Sequence, residues 1–285
     1  MRQVTIVSDS LSCLTADFIE QYGIDIIPLN FYSGGKVYRD TVDVTTKEAY
    51  EIFLKEPDAF RTSPASPEEC FEVFRRASPK AQSIMCVTAS VKLTALFDMA
   101  RLAVERAKME LPRTTVRILD SGMATAAEGL VVLAAARAAA AGNGLEEVAK
   151  AAEEMKKKVG VIILLDTMRH VYRSGRIPKI AARAASVLNI RPLLTISSGM
   201  VHFVGAVRSR KHGIERLIES MRHRVGGKPV HVAVMHAYAP EEAVRLKELV
   251  ASEFKCTELW ISEFSPLMGY SCGTGTLGLA FYPVE

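Results

Sequence analysis

The feature that most constrains this chain is alternation. Short β-rich runs take turns with helical patterns along nearly the whole sequence. "VTIVSD" (4–9) reads as a strand, "TADFIEQYG" (15–23) as a helix and "IDIIPLNFY" (24–32) as a strand. The turn "SGG" leads into "KVYRD", and a helix follows at "TKEAYEIFLK" (46–55). A helix over 67–77 comes next, then strand "SIMCVTA", a helix over 92–110, strand "TVRILDS", and helices over 124–141 and 145–158. Such alternation predicts an α/β fold with a mostly parallel sheet covered by helices.

A second unit opens near "VGVIILLDT". Helical "KIAARAASVL" and strand "RPLLTIS" follow, and "SSGM" turns into "VHFVGAV" as a hairpin. Helix "RKHGIERLIESMRHR", strand "PVHVAVMHA", a helix from Glu241, and the runs "CTELWISEF" and "TGTLGLAFY" complete it. The hairpin content predicts a mixed sheet. The expected organisation is two α/β domains, 1–159 and 160–285, within what 285 residues can form.

Composition removes several function classes. The net charge of +4 is spread along the chain, with no basic block interleaved with aromatics, so nucleic-acid binding is not expected. The five cysteines, Cys13, Cys70, Cys86, Cys256 and Cys272, are widely spaced and form no CxxC. Neither a disulfide framework nor a zinc site is expected, and a reducing, cytoplasmic location is. The N-terminus runs directly into a strand without a signal-peptide pattern. "ATAAEGLVVLAAARAAAAG" is alanine-rich and holds Glu128 and Arg137, which favours a packed helix over a membrane span.

Enzyme motifs are scarce. "GTGTLG" (273–278) matches G-x-G-x-x-G, but too little chain follows it for a βαβ unit, so no dinucleotide cofactor is expected. No Walker A, HExxH or G-x-S-x-G pattern occurs, and the six histidines form no i, i+4 ligand pair. His231 and His236 flank a strand-like run and read as ordinary residues. Asp9-Ser10 and Asp120-Ser121 end strands, where carboxylates act in catalysis or cap the next element. Capping is the preferred reading. In "RTSPASPEECF", Ser66 precedes Pro67 and two glutamates, a capping box at a helix start. That leaves Thr62 and Ser63 without an evident structural task. The chain thus offers hydroxyls at strand ends and helix starts (Ser10, Thr62, Ser63, Ser90, Thr94, Ser121) without a base or metal set. That pattern suits holding a polar head group more than turning one over.

These segments together resemble the DegV family. "VTIVSDSLSCLTADFIEQYGIDIIPL" is similar to its opening, "RTSPASPEEC" to its Thr-Ser-x-Pro-Ser segment with the proline one place earlier, and "SVKLTALFDMA" to its Leu-Ser-Gly-Thr segment. "ILDSG", "VYRSGRI", "IRPLLTISSGMVHFVGAVRSRK" and "GTGTLGLAFY" resemble later blocks, so the likeness runs from about residue 3 to 283. It implies two α/β domains with a fatty acid, such as palmitate, in an apolar tunnel between them. It also implies a carrier, without catalytic residues of its own, for a bacterial fatty-acid kinase whose separate ATP-binding subunit phosphorylates the bound carboxylate. Carried over by position, the carboxyl-holding hydroxyls are Thr62 and Thr94, with Ser63 beside them. Arg176 and Arg208 stand where the family is basic and would meet an acyl phosphate.

Two departures accompany the resemblance. Ser271 stands where the family places a histidine before its Gly-x-Gly; serine donates a hydrogen bond but does not become cationic. Ala95-Leu96 replaces Gly-Thr, and the added bulk is expected to reshape the tunnel. A second reading is a phosphatase or phosphotransferase using Asp9 or Asp120. A third is a lipid sensor that contacts a protein through "RSGRIPK".

Overall fold

The computed structural model describes residues 2–167, 175–176 and 190–284. The expected helix "KIAARAASVL" and most of "VYRSGRI" and "RSGRIPK" lie outside them. Strands β1 (Arg2–Asp9), β2 (Asp25–Ile27), β6 (Ala81–Thr88) and β7 (Thr115–Asp120) form an all-parallel sheet in the order β2-β1-β6-β7. Buried on both faces, β1 and β6 read as nearly continuous apolar runs, as parallel strands do. Strands β3 (Asn30–Ser33), β4 (Lys36–Arg39) and β5 (Arg61–Ser63) make a small antiparallel sheet beside it. The expected strand over 24–32 is thus two strands in two sheets. Pro28 has no N–H to donate and ends the ladder after Ile27.

The C-terminal sheet has six strands: β8 (Gly160–Leu164), β9 (Arg191–Ser197), β10 (Met200–Val207), β11 (Val230–His236), β12 (Cys256–Glu263) and β13 (Leu277–Pro283). Their order is β10-β9-β8-β13-β11-β12, and among the described residues only the β11–β12 pair is parallel, so this sheet is mixed. The β9–β10 hairpin forms as expected. Its turn residue Gly199 has φ +78°, and a Cβ there would lie 2.7 Å from the Ser90 hydroxyl.

Helices α1 (Ala16–Tyr22), α2 (Thr46–Lys55), α3 (Pro67–Ala77), α4 (Leu96–Glu110) and α6 (Leu145–Lys158) belong to the first unit. Helices α7 (Arg210–Val225) and α8 (Pro240–Glu253) cover the second, and a short α9 (Pro266–Cys272), not expected from the sequence, precedes β13. Helix α4 starts four residues later than its pattern suggests. The Ser90 carbonyl accepts from Leu93 and Thr94 in a tight turn that delays it.

Helix α5 (Ala126–Ala140) joins the two units. It packs on β1 and β6 on one side and on β11 and β13 on the other. Its side chains are buried on nearly every face, which is why the stretch is apolar all round rather than amphipathic. Alanine and glycine allow the close approach: a Cβ on Gly129 would meet the Ser12 carbonyl at 2.6 Å. Gly129→Ala is therefore expected to overpack the core and lower unfolding stability by about 1–3 kcal/mol, read from urea denaturation.

Candidate functional site between the two sheets

An apolar cavity lies where the two units meet. The first unit supplies Leu11, Leu29, Thr62, Ser63, Pro64, Leu93, Thr94, Ala124 and Thr125, and the second Ile163, Leu194, Ile196, Val201 and the α9 residues Leu267, Met268, Ser271 and Cys272. Arg176 also lines it, and the space between these residues, open solvent at its mouth included, is about 830 Å³. Leu11, Leu29, the Leu93–Thr94 turn and the Ala124–Thr125 turn all follow the carboxyl ends of the parallel strands, where ligands bind in open α/β sheets.

Thr62 and Ser63 are placed by β5. Register pairs Phe31 with Thr62 and Asn30 with Ser63. The Ser63 hydroxyl lies 3.2 Å from that of Tyr32, whereas no described side chain bonds the Thr62 hydroxyl. Ser66 caps α3 as expected: its hydroxyl accepts from the Glu69 N–H at 3.2 Å, and Glu69 accepts from the Ser66 N–H at 2.7 Å. Glu69 also accepts from Asn30, tying the cap to β3.

Thr94 stands in the turn after β6. Its hydroxyl oxygen accepts from the Leu96 N–H at 3.3 Å, leaving the hydroxyl proton to donate elsewhere. The turn is pinned across the interface by Ser90, whose hydroxyl donates to the Gly199 carbonyl at 2.8 Å. Ser271 enters from α9 with no described partner for its hydroxyl. Arg176 donates from Nε to the Leu93 carbonyl at 3.2 Å.

Five of the six expected binding residues, Thr62, Ser63, Thr94, Arg176 and Ser271, therefore share one cavity. Arg208 is not among its lining residues; it is exposed, and its carbonyl accepts from Arg191. Leu96 and Ala95 do not line it either. Leu96 opens α4 and is buried in the core, and Ala95 faces outward.

The strand-end carboxylates act as caps. Asp9 accepts from the N–H groups of Leu11 and Ala89, both at 2.9 Å, and Asp120 from those of Gly122 and Val91. Burial raises Asp9 to about 6, against the lowering effect of those two N–H groups. His236 is buried within β11 and driven down to about 4 by desolvation, so it stays neutral. Among the described residues, no group of three or more His, Cys, Asp or Glu could hold a metal ion.

Sequence reasoning missed Leu11, Thr125 and the α9 wall. Thr125 has φ +68° and ψ −167°, a region that favours glycine. The signal for α9 was available: Ser265-Pro266 repeats the serine–proline start seen at Ser66-Pro67.

A parallel-sheet unit and a mixed-sheet unit closing on an apolar cavity place this chain among two-domain α/β proteins with a cavity at the domain junction. The profile of the family described as "Uncharacterised protein, DegV family" matches residues 3–284, and the chain belongs to that family. A DegV domain-containing protein of Streptomyces coelicolor is 32% identical over 280 residues, 98% of each chain. Among solved structures, "Fatty Acid Binding of a DegV family Protein from Thermus thermophilus" aligns over 100% of both chains, with 28% identity and a TM-score of 0.87. The Bacillus subtilis structure, described as DegV, a fatty acid binding protein, aligns over 100% of both with 26% identity and a TM-score of 0.88.

Ser66→Ala should cost about 0.5–2 kcal/mol of stability, the usual value of a lost cap, and leave cavity occupancy unchanged. Chemical denaturation and ligand content of the same preparations check this division between Ser66 and Thr62.

Proposed function

We propose that this chain binds a long-chain fatty acid in the interdomain cavity, with the carboxyl group held by hydroxyl side chains. One observation carries the reading: the cavity is apolar over most of its wall, and the hydroxyls of Thr62, Thr94 and Ser271 each retain donor capacity there. Its relatives from Thermus thermophilus and Bacillus subtilis, described as fatty-acid binding, support it.

A hydroxyl donating to a carboxylate makes a charge-assisted hydrogen bond, and two of them fix its orientation. Thr62 and Thr94 take that role, with Ser63, Ser271 and Arg176 around the same head group. The tail contributes the affinity. At ~0.8 kcal/mol per buried methylene, a chain of about fourteen gains on the order of 11 kcal/mol before ordering and association costs.

In this reading the protein performs no chemistry itself. It carries its lipid in the cytoplasm and presents the head group to a separate kinase subunit that supplies ATP. The two domains divide between Val159 and Gly160. Arg176, which lines the cavity, is the cationic group for an acyl phosphate; Arg208 is exposed and does not line it. Asp9 and Asp120 lend the phosphatase reading no support, since both serve as backbone acceptors. Among the described residues no helix is long and apolar enough to cross a membrane.

Mass spectrometry of organic extracts from heat-denatured protein tests the reading. The expected result is a near-stoichiometric fatty acid from the native protein. Combined Thr62→Ala and Thr94→Ala should lower its retention about tenfold or more, as expected for two lost bonds to a charged group, while unfolding stays cooperative. Equal retention by the double variant would remove these threonines from the site. No bound lipid, and no uptake of added palmitic acid, would end the fatty-acid reading.

A further inference from the structure

Glu128 is fully buried on α5, one turn beyond Thr125. Neither of its carboxyl oxygens receives a hydrogen bond from a described N–H or O–H group. An ionised carboxylate in that position would be an uncompensated charge in the core. Its side chain lies within hydrogen-bonding reach of the Asp9 carboxyl group, which already accepts the Leu11 and Ala89 N–H groups. Two acceptors meet only if one of them carries a proton.

We propose that Glu128 is held as a neutral carboxylic acid that donates its proton to Asp9, and that this shared proton positions the cavity wall. The connectivity is a closed ring. Asp9 accepts from the Leu11 N–H, and the Leu11 carbonyl accepts from the Thr125 N–H at 2.9 Å. The Thr125 carbonyl accepts from the Glu128 N–H at 3.0 Å, and the Glu128 side chain returns to Asp9. Leu11 and Thr125 are both on the cavity wall. The second Asp9 oxygen holds Ala89, from which the chain runs through Ser90 to Thr94. Thr125 keeps its glycine-like backbone because the ring fixes both of its ends.

The surroundings favour the neutral acid. Burial raises Glu128 well above the usual carboxylate range, and the charge of Asp9 and its hydrogen bond raise it further, with Asp120 adding to the effect. From α6, Lys156 donates to the Asp120 carbonyl rather than to Glu128. The thiols of Cys13 after β1 and Cys86 on β6 are pushed up by burial and stay neutral. From β11, His236 is neutral and His231 pairs with Glu258 of β12. Arg137, farther along α5, is engaged by Tyr22 at the end of α1, by Tyr282 of β13 and by Glu258.

This positioning role rests on the cavity being the ligand site, whereas the protonation state does not. Infrared difference spectra of the native protein and Glu128→Gln therefore come first. A protonated-carboxyl band at neutral pH that is lost in Glu128→Gln is expected, with or without lipid, and its absence from the native protein would overturn the proposal. Stability supplies a second readout. A carboxyl raised in the folded state binds more protons there, so its stabilisation is present below the unfolded value and is lost as pH rises toward the folded one. The folding constant of native protein relative to Glu128→Gln should fall about tenfold per pH unit above about pH 5. A flat ratio would count against a neutral Glu128.

Retention of tritium-labelled palmitic acid then reads the positioning role. Glu128→Gln keeps a donor for Asp9 and should hold the lipid at about pH 9 as well as at about pH 7. Glu128→Leu keeps bulk without a donor and should release it at least several-fold faster. Equal release from both variants would overturn the positioning role. If the leucine variant does not fold, the pH profile of Glu128→Gln against native protein decides: parallel profiles overturn the role, diverging ones support it. Failure of even native protein to take up palmitic acid would defeat the ligand reading, with the infrared and stability results standing apart from it.

Discussion

Helix α5 has little surface to give to water, and that single constraint organises the molecule. A helix buried on nearly every side needs apolar partners in more than one direction. The parallel sheet covers it with β1 and β6, and the mixed sheet reaches it with β11 and β13. The two units are therefore held by a common helix as well as by side chains that cross between them. Those crossings bond to backbone at several points: Tyr50 to the Phe264 carbonyl, Ser262 to the Cys13 carbonyl and Ser90 to the Gly199 carbonyl. Ser265 adds a bond to the Asp40 carboxylate. Tyr50 reaches across from α2, and the others couple a loop or turn of one unit to a strand end, turn or loop of the other.

The cavity exists because the same junction is imperfectly filled. Alanines and Gly129 bring α5 close to the turn after β1, while Leu11, Leu93, Ile163 and Leu194 face one another across open space. Polar groups reach that space from turns and short elements, which can place a hydroxyl without a long apolar run around it. Thr62 comes from a three-residue strand, Thr94 from a turn and Ser271 from a seven-residue helix.

Long elements with a clear period were legible in the sequence, and among the short ones α1 was read while β5 and α9 were not. Helices α2, α3 and α6 lie where their apolar spacing and caps put them, and α3 shows the reason: Ser66, Pro67 and Glu69 mark its start independently of packing. β5 spans only three residues and has no period to detect. The strand over 24–32 failed because one apolar run serves two sheets, and only Pro28 hints at the break. Thr62, Thr94 and Ser271 were named through the family likeness, and their meeting depends on tertiary structure that no local pattern encodes. Thr125 was out of reach for a different reason: local preference argues against threonine in its conformation, so only the surrounding hydrogen bonds explain it.

Strain at Thr125 and the missing donors at Glu128 point to the same region of the fold. A residue in a glycine-like conformation costs on the order of 1–3 kcal/mol, and a buried carboxyl without donors is tolerated only when neutral. Both costs sit on the first turn of α5 and in the residue before it, beside the cavity wall, while the polar group farther along the helix, Arg137, is engaged by Tyr22, Tyr282 and Glu258. Replacing the pair by apolar residues would relieve the buried polarity but would leave Asp9 nothing to face, and Asp9 is needed by the Leu11 and Ala89 N–H groups at two strand ends. The acid on α5 is thus explained by the acid on β1, and the acid on β1 by the two backbone turns that it holds against the cavity.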